Sequence, residues 1–313
     1  MKREDVLWNK IGIITKPNPH IPWLHSWTSA ACLADNIKGT AVPLYVTGRE
    51  INGASRIGVG ILHLDTLRVS DLSPVPCISL GKSGTFDEHG TSYPSIRISN
   101  NMYFLYYTGW MRGASIPWYN AVGLAKSADG IHFKKTSESP VFDRNPIDPI
   151  GIGSCYVMKE TSRWTMWYTS FSRWERLKNT MRHYYHIKHA QSTDGVHWTP
   201  SGHICIDFAN TREYAIAKPS VIKVESTYLM WYSYRGKTYH IGCATSKNGI
   251  TWKRRDHELG LAPSTTGWDS EMVCYPYVFV HNDALYMFYN GNGFGESGLG
   301  IATAKRNTLQ RYL

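Results

Sequence analysis

The sequence predicts an all-β chain folded as a five-bladed β-propeller, with four-stranded antiparallel blades and a ring closed by the N-terminal strand completing the last blade. Three observations carry this. The first is a recurring turn element: AKSADGIHF (125–133), AQSTDGVHW (190–198) and ATSKNGITW (244–252). An Asp-Gly or Asn-Gly pair between apolar runs marks a hairpin connection. The second is the aromatic strand ahead of each turn: YFLYYT (103–108), WTMWYTS (164–170), YLMWYS (228–233) and LYMFYN (285–290), with a weaker copy, PLYVTG, at 43–48. The third is that the last copy is split. GLGIATAKR (298–306) lacks a closing strand, and VLWNKIGII (6–14), with Trp8 in the aromatic place, offers one at the other end of the chain. Internal repeats of this length signal a stacked or radial architecture, and closing the ring removes exposed sheet edges.

In chain order the blades fall at roughly 25–80, 87–142, 148–207, 213–260 and 269–306 plus 6–14. The closing position of each repeat lies at Leu67, Phe133, Trp198 and Trp252, a short strand running through it. The fourth unit is the fullest: an extended run with Pro219 and Val221, a turn at Glu225-Ser226, an aromatic strand, a loop at Gly236, a third strand and the Asn248-Gly249 turn. No Pro/Gly/Ser linker or charge run divides the 313 residues, so a single domain, 1–313, is expected. A hydrophobic content of 42%, with 13% aromatics, is ample for a packed core.

The net charge of +10 implies an anionic partner such as phosphate or a nucleotide. No Lys/Arg-rich run or RNA-binding signature is present, which argues against nucleic acid. Residues 1–5 are polar and no apolar segment follows, so neither a signal peptide nor a membrane span is expected. The six cysteines form no CxxC pair and lie mostly in strands, as reduced packed thiols do, which predicts a cytoplasmic protein. No cofactor is called for, and no signal marks an oligomeric state.

Function is sought where residues depart from the repeat, since the scaffold needs only apolar residues and turns. In a propeller the innermost strands begin, and the second strands end, at one mouth of the central channel. Alignment puts Pro94, Cys155, Pro219 and Pro276 at equivalent inner-strand positions. Just upstream lie His25 in the first unit, Asp87, Glu88 and His89 in the second, Asp148 in the third, Arg212 and Glu213 in the fourth, and Asp269 and Glu271 in the fifth. Lys218 and Tyr275 sit beside the aligned positions. Carboxylates gathered at one mouth repel one another and raise a pKa, which marks candidate ligand contacts.

The far ends of the second strands add Arg49, Trp110, Arg173, Trp174, Tyr234, Arg235, Asn290 and Asn292. Aromatic rings beside carboxylates, amides and arginines suit sugars, with rings stacking on pyranose faces and planar groups bridging hydroxyls. Arg235 is the best single candidate for an anion contact. His183, His186 and His189 have a metal-like spacing, but alternation along a strand turns His186 away from the other two, so no metal is expected. The Gly-rich stretch 291–298 lies between two strands and reads as a hairpin loop.

Five units with S-x-D/N-G-x-x-W turns and acids at inner-strand starts resemble the five-bladed propeller glycosidase superfamily, which holds the family 43 arabinosidases and xylosidases, the family 32 fructosidases and the family 130 mannoside phosphorylases. More narrowly, FDEHG, CIDF, GWDSEM, YPYVF and FYNGNGFG are similar to uncharacterised propeller proteins encoded with bacterial surface-polysaccharide and nucleotide-sugar genes. The resemblance implies a glycoside hydrolase-like, carbohydrate-active enzyme of polysaccharide biosynthesis. In the superfamily the first blade usually carries an Asp; here that place holds His25-Ser26, and counting from the second blade restores three acids in order. The implied mechanism has Glu213 as acid, tuned by Lys218 and Arg212, Glu88 as base and Asp148 as orienting residue. A first alternative is a phosphorylase or transferase acting on a phosphorylated or nucleotide-linked sugar, with Arg173, Lys188, Arg235 and His25 on the phosphate. A second is a non-catalytic sugar-binding propeller.

Overall fold

The computed structural model describes residues 7–35, 37, 39–178 and 180–313. Val6 of the expected closing strand and the polar segment 1–5 lie outside the described residues. The strands are β1 (Asn9–Thr15), β2 (Thr28–Leu33), β3 (Ala41–Arg49), β4 (Ser55–His63), β5 (Arg68–Ser70), β6 (Gly90–Ser99), β7 (Met102–Arg112), β8 (Trp118–Ser127), β9 (Lys134–Lys135) and β10 (Ile152–Lys159). They continue as β11 (Trp164–Leu177), β12 (Thr180–Ser192), β13 (Thr199–Ile206), β14 (Ala215–Val224), β15 (Thr227–Arg235), β16 (Tyr239–Ser246), β17 (Lys253–Arg254), β18 (Cys274–His281), β19 (Ala284–Asn290) and β20 (Leu299–Lys305).

Antiparallel pairing joins β2-β3-β4-β5, β6-β7-β8-β9, β10-β11-β12-β13 and β14-β15-β16-β17 in turn. The last group runs β18-β19-β20-β1, so the first strand of the chain pairs with the last, Asn9 opposite Thr303 and Thr15 opposite Leu299. The fold is all-β and propeller-like. Its second strands are the most deeply buried, with Tyr45, Tyr106, Tyr107, Trp167, Tyr168, Trp231, Tyr232, Phe288 and Tyr289 fully enclosed. Side chains on both faces of each of these strands pack against neighbouring groups, as stacked sheets require.

The repeated turn is built by its own side chains. Ser127 Oγ accepts from the Gly130 N–H at 3.0 Å, and Asp129 Oδ1 accepts from Ile131 and His132 N–H at 2.8 and 2.9 Å. Ser192 with Asp194 and Ser246 with Asn248 repeat the arrangement. The glycine adopts φ of 74°, 75° and 73° in the three copies, the left-handed region other residues avoid. Its carbonyl then accepts from an aromatic of the preceding group: Tyr45 to Gly130, Tyr106 to Gly195 and Trp167 to Gly249. The repeat therefore specifies both the hairpin and the seam between groups.

The closing residue of the repeat ends this turn rather than lying within a strand. β5, β9, β13, β17 and β1 begin immediately after Leu67, Phe133, Trp198, Trp252 and Trp8. Four of these anchors are aromatic, Trp8 and Phe133 buried and Trp198 and Trp252 half-buried.

Each inner strand is interrupted by a register shift, at Ser29/Cys32, Ser92/Ser95, Ile152/Cys155, Ala217/Ser220 and Cys274/Tyr277. Four of the bulges hold a non-glycine residue at positive φ: Ala30, Tyr93, Lys218 and Tyr275. Such bulges bend a strand and re-aim its side chains. The N–H each one frees donates to the neighbouring group: Tyr93 to Thr47 Oγ1 (3.0 Å), Lys218 to Ser154 Oγ (3.0 Å), Tyr275 to Ser233 Oγ (2.7 Å) and Ala30 to Asn290 Oδ1 (2.9 Å). The last of these ties the first group to the last. All six cysteines are free and buried, and among the described residues no helix is long and apolar enough to cross a membrane.

Candidate functional site

The bulged ends of the inner strands surround a cavity of about 510 Å³. β6 and β18 send Tyr93 and Tyr275 into it; β3 contributes Arg49, β7 Trp110, β8 Trp118 and Asn120, β11 Phe171, β12 His183 and Tyr185, β15 Arg235 and β16 Tyr239. Trp27 and Phe294 complete the wall, the Trp27 indole N–H donating to the Gly293 carbonyl at 2.9 Å. Trp110 is held by Ser55 Oγ at 2.7 Å, over Gly90, where a Cβ would lie 2.0 Å from its indole nitrogen. Only glycine permits that approach. Tyr185 and Tyr239 share a 2.5 Å hydrogen bond between their hydroxyls.

Two cations stand in this aromatic wall. The Arg49 guanidinium lies 5.1 Å from the Trp27 ring, and that of Arg235 lies 5.2 Å from Tyr239 and 5.5 Å from Tyr214. Among the described residues neither forms an ion pair, and no carboxylate lines the cavity. Arg235 Nε, Thr108 Oγ1 and both ring nitrogens of His183 are buried without a protein partner. Burial, and then Arg235 and Arg182, push the His183 imidazole down to about 4, so it is neutral at pH 7. Aromatic faces and unpaired guanidinium groups together suit a polar ring carrying negative charge.

The acids expected at this mouth lie elsewhere. Asp87, 1% exposed, accepts from Tyr107 Oη at 2.8 Å and Lys135 Nζ at 2.5 Å. Asp148, equally buried, accepts from Tyr168 (2.7 Å), Ser170 (2.6 Å) and Lys188 (2.8 Å). Asp269 accepts from Lys10 (2.7 Å) and Tyr289 (3.1 Å). Glu213 takes both Arg254 Nη atoms at 2.7 and 3.1 Å, while Asp256 takes the Tyr232 hydroxyl at 2.6 Å. Asp87, Asp148 and Asp269 thus each clamp a loop to a tyrosine of the second strand and to a cation on the third or fourth strand of their own group, while Glu213 holds only the cation and Asp256 takes the tyrosine. Recurrence at one offset has a folding cause: a tyrosine and a cation recur with it. Glu88 accepts from the Gly84 N–H at 2.8 Å, and Glu271 is exposed. The structure does not bring Glu88, Asp148 and Glu213 together.

Of the other expected contacts, Arg49, Trp110, Arg235 and Tyr275 line the cavity. His89 lies behind Trp110, ring centroids 5.8 Å apart. Lys188 is committed to Asp148; Arg173 and Arg212 are exposed, Arg173 over Tyr184. Tyr234 stacks on His240, and His25 is half-buried outside the cavity lining. Asn290 spends its amide on Ala30, Thr28 and Gly298. Lys218 is fully buried behind the bulge, its ammonium without a protein partner. His186 pairs with Asp207 and His189 lies against His203, so the three histidines do not converge. Trp27, Tyr93, Trp118, Asn120, Phe171, His183, Tyr185, Tyr239 and Phe294 were not singled out as contacts. For Trp118, Asn120, His183, Tyr185 and Tyr239 the signal is the offset of the third strands β8, β12 and β16, whose first halves reach the same mouth as the ends of the second strands.

No family model matches the chain. It is 34% identical over 296 residues to the uncharacterized proteins MT1551 and Rv1502 of Mycobacterium tuberculosis, which covers 94% of this chain and 98% of each relative. Solved structures share the fold. A glycoside hydrolase superposes with a TM-score of 0.75 at 16% identity, covering 95% of this chain and 91% of its own. A structure from work on the GH130 family of mannoside phosphorylases, containing hydrolases that target beta-1,2 mannosidic linkages in Candida mannan, gives 0.70 at 15% (96% and 94% covered). A thermostable family-43 glycoside hydrolase gives 0.69 at 17% (93% and 92% covered).

Proposed function

The chain belongs to the family of the mycobacterial proteins Rv1502 and MT1551, and from that premise we propose that it is a carbohydrate-active enzyme moving a glycosyl group to or from phosphate. The observation that carries this reading is the pair Arg49 and Arg235, unpaired in an aromatic cavity that no carboxylate lines among the described residues. A guanidinium without a carboxylate partner is suited to a phosphoryl or carboxyl group of the ligand. Trp110, Trp118 and Phe171 offer faces for the sugar, and Asn120 reaches its hydroxyls. When phosphate or a nucleoside diphosphate leaves an anomeric carbon, it departs as a stable anion and needs cations more than a carboxylic acid.

The scaffold we propose is a single domain over 1–313 with five blades, closed by β1 beside β20. The Ala30–Asn290 and Thr28–Asn290 hydrogen bonds, which join the first group to the last, support it. A cytoplasmic address, where activated sugars carry phosphate, and a place in building surface polysaccharide belong to the same reading; six buried, unpaired thiols are compatible with it.

Hydrolysis by carboxylates is a second reading, favoured by one observation: Glu88 sits 3.3 Å from His89, which backs Trp110 of the cavity wall. Asp148 and Glu213 would have to leave Lys188 and Arg254 to take part.

Calorimetric titration with sugar 1-phosphates, the matching neutral sugars and inorganic phosphate tests the proposal, alongside turnover of glycosides with and without phosphate. Binding of the phosphorylated sugars and phosphate-dependent turnover are expected. Turnover in water alone, unchanged by Arg49→Ala or Arg235→Ala, sinks it in favour of hydrolysis, and binding without any turnover leaves a sugar-binding protein.

A further inference from the structure

We propose that the cavity reads two anionic groups on one ligand, a phosphate at Arg235 and a carboxylate of the sugar itself at Arg49, so that the glycosyl group is that of an acidic sugar of the uronic acid class. The proposal rests on the phosphate reading above and adds the kind of sugar. Among the described residues Arg49 and Arg235 are the two lining side chains charged at pH 7, His183 being neutral. Of their guanidinium nitrogens only Arg235 Nε is enclosed without a partner, so the outer nitrogens of both residues are open to a ligand.

A whole strand group keeps the two cations apart. Each ends a second strand, Arg49 that of the first group and Arg235 that of the fourth, and the last group is joined to both. The Tyr275 N–H donates to Ser233 Oγ of the fourth group at 2.7 Å, and Asn290 Oδ1 accepts from the Ala30 N–H of the first at 2.9 Å. The last group sends Tyr275 and Phe294 into the cavity wall. The Phe294 ring lies 5.9 Å from the Arg235 guanidinium, while the adjacent Gly293 carbonyl accepts from Trp27, the ring beneath Arg49. One phosphate held against Arg235 therefore leaves Arg49 for a second anion.

The surroundings of Arg49 suit a sugar carboxylate better than a second phosphate. Its guanidinium lies 5.1 Å from the Trp27 ring, and Arg49 stands opposite Ser55, whose Oγ holds the Trp110 indole at 2.7 Å. Indole faces are the surfaces on which a pyranose ring stacks. A guanidinium resting on an aromatic ring keeps its N–H fork free in its own plane, and that fork matches a carboxylate with two parallel hydrogen bonds. The charges agree: a phosphate brings about 1.5–2 negative charges and a carboxylate one more, whereas two phosphates would set about 3–4 against the two cations of the wall. No protein carboxylate lines the cavity among the described residues, so an acidic sugar meets no like charge there.

The test is titration calorimetry on the intact chain with matched pairs of hexose 1-phosphate and uronic acid 1-phosphate in the gluco, galacto and manno series, beside the free uronic acids and a hexose bisphosphate. In at least one series the uronic acid 1-phosphate should bind about 10-fold or more tighter than its hexose partner, the worth of one charge-assisted hydrogen-bonded pair. Arg49→Ala should cut that preference to about threefold or less, while Arg235→Ala weakens both members of the pair and leaves their ratio. A wild type without preference in every series, or a preference that survives Arg49→Ala, overturns the carboxylate subsite while the phosphate site stands. Tighter binding of the bisphosphate than of any uronic acid 1-phosphate overturns it in favour of a second phosphate. Failure of every phosphorylated sugar to bind, with free uronic acids still held through Arg49, overturns the phosphate reading instead.

Discussion

Asp148 and Lys188 face each other at 2.8 Å inside one strand group, both nine-tenths or more buried. Tyr168 and Ser170 donate to the same carboxylate. Removing one partner of a buried pair leaves the other charged and unsatisfied. Asp148→Asn should therefore lower stability by about 3–5 kcal/mol in urea denaturation, and Lys188→Met by a similar amount. The double variant should cost less than the sum of the two. A variant with native stability and lost turnover would instead return Asp148 to the chemistry.

Acid should expose the same clamp. Burial alone would raise the Asp148 carboxyl, but hydrogen bonds from Lys188, Ser170 and Tyr168 outweigh it and hold it below the ordinary carboxylate value. A lowered folded pKa gives stability that is complete above the unfolded value and lost as pH falls through the folded one. Wild-type Tm should thus decline below about pH 4, and Asp148→Asn should flatten that decline.

His183 adds a separate window. Its folded pKa of about 4 lies below the ordinary histidine value, so the unfolded chain binds the extra proton first. Stability should rise with pH between about 4 and 6.5. Tm measured across pH with His183→Gln, whose slope in this window should be smaller, checks it.

Arg235→Ala and Arg49→Ala should weaken binding of a sugar phosphate without unfolding the protein, since neither guanidinium forms an ion pair among the described residues. Loss of a charge-assisted hydrogen bond is worth about 1.5–3 kcal/mol, or roughly 10- to 150-fold in Kd. Neutral sugars should lose far less. Equal losses for charged and neutral ligands would contradict an anion subsite.

Lys218 should be dispensable for folding. Its amine is fully enclosed with no protein partner, and burial pulls its pKa down. Lys218→Met keeps length and volume while removing the polar atom, and a gain of roughly 1–3 kcal/mol is expected by chemical denaturation. A loss of that size would mean the amine has a favourable role in the fold.

The strand order was legible because the repeat is chemical as well as hydrophobic: Ser127, Asp129 and Gly130, and their two further copies, each do one task in the turn. The break after Trp8 also announced that β1 would meet β20. The site was only partly legible. Trp110, Arg235 and Tyr275 were reached through the ends of strands, whereas Asp87, Asp148 and Asp269 misled because one offset from an inner strand was taken to mean one direction of the side chain. Their tyrosine partners, Tyr107, Tyr168 and Tyr289, stand in the same repeats and were the available warning. His183 was hidden for a different reason: its spacing to His186 drew attention to a metal, while its place in the cavity depends on the register shift between Phe171 and Arg173, which no local pattern encodes.

The pairing of β1 with β20 has a consequence for biosynthesis. Asn9 leaves the ribosome long before Leu299 is made, so the N-terminal strand must wait for its partner until β20 has been synthesised. Assembly of that sheet is obligatorily late, and a nascent chain halted before Leu299 would present both β1 and the outer edge of β19 to any other unpaired strand nearby.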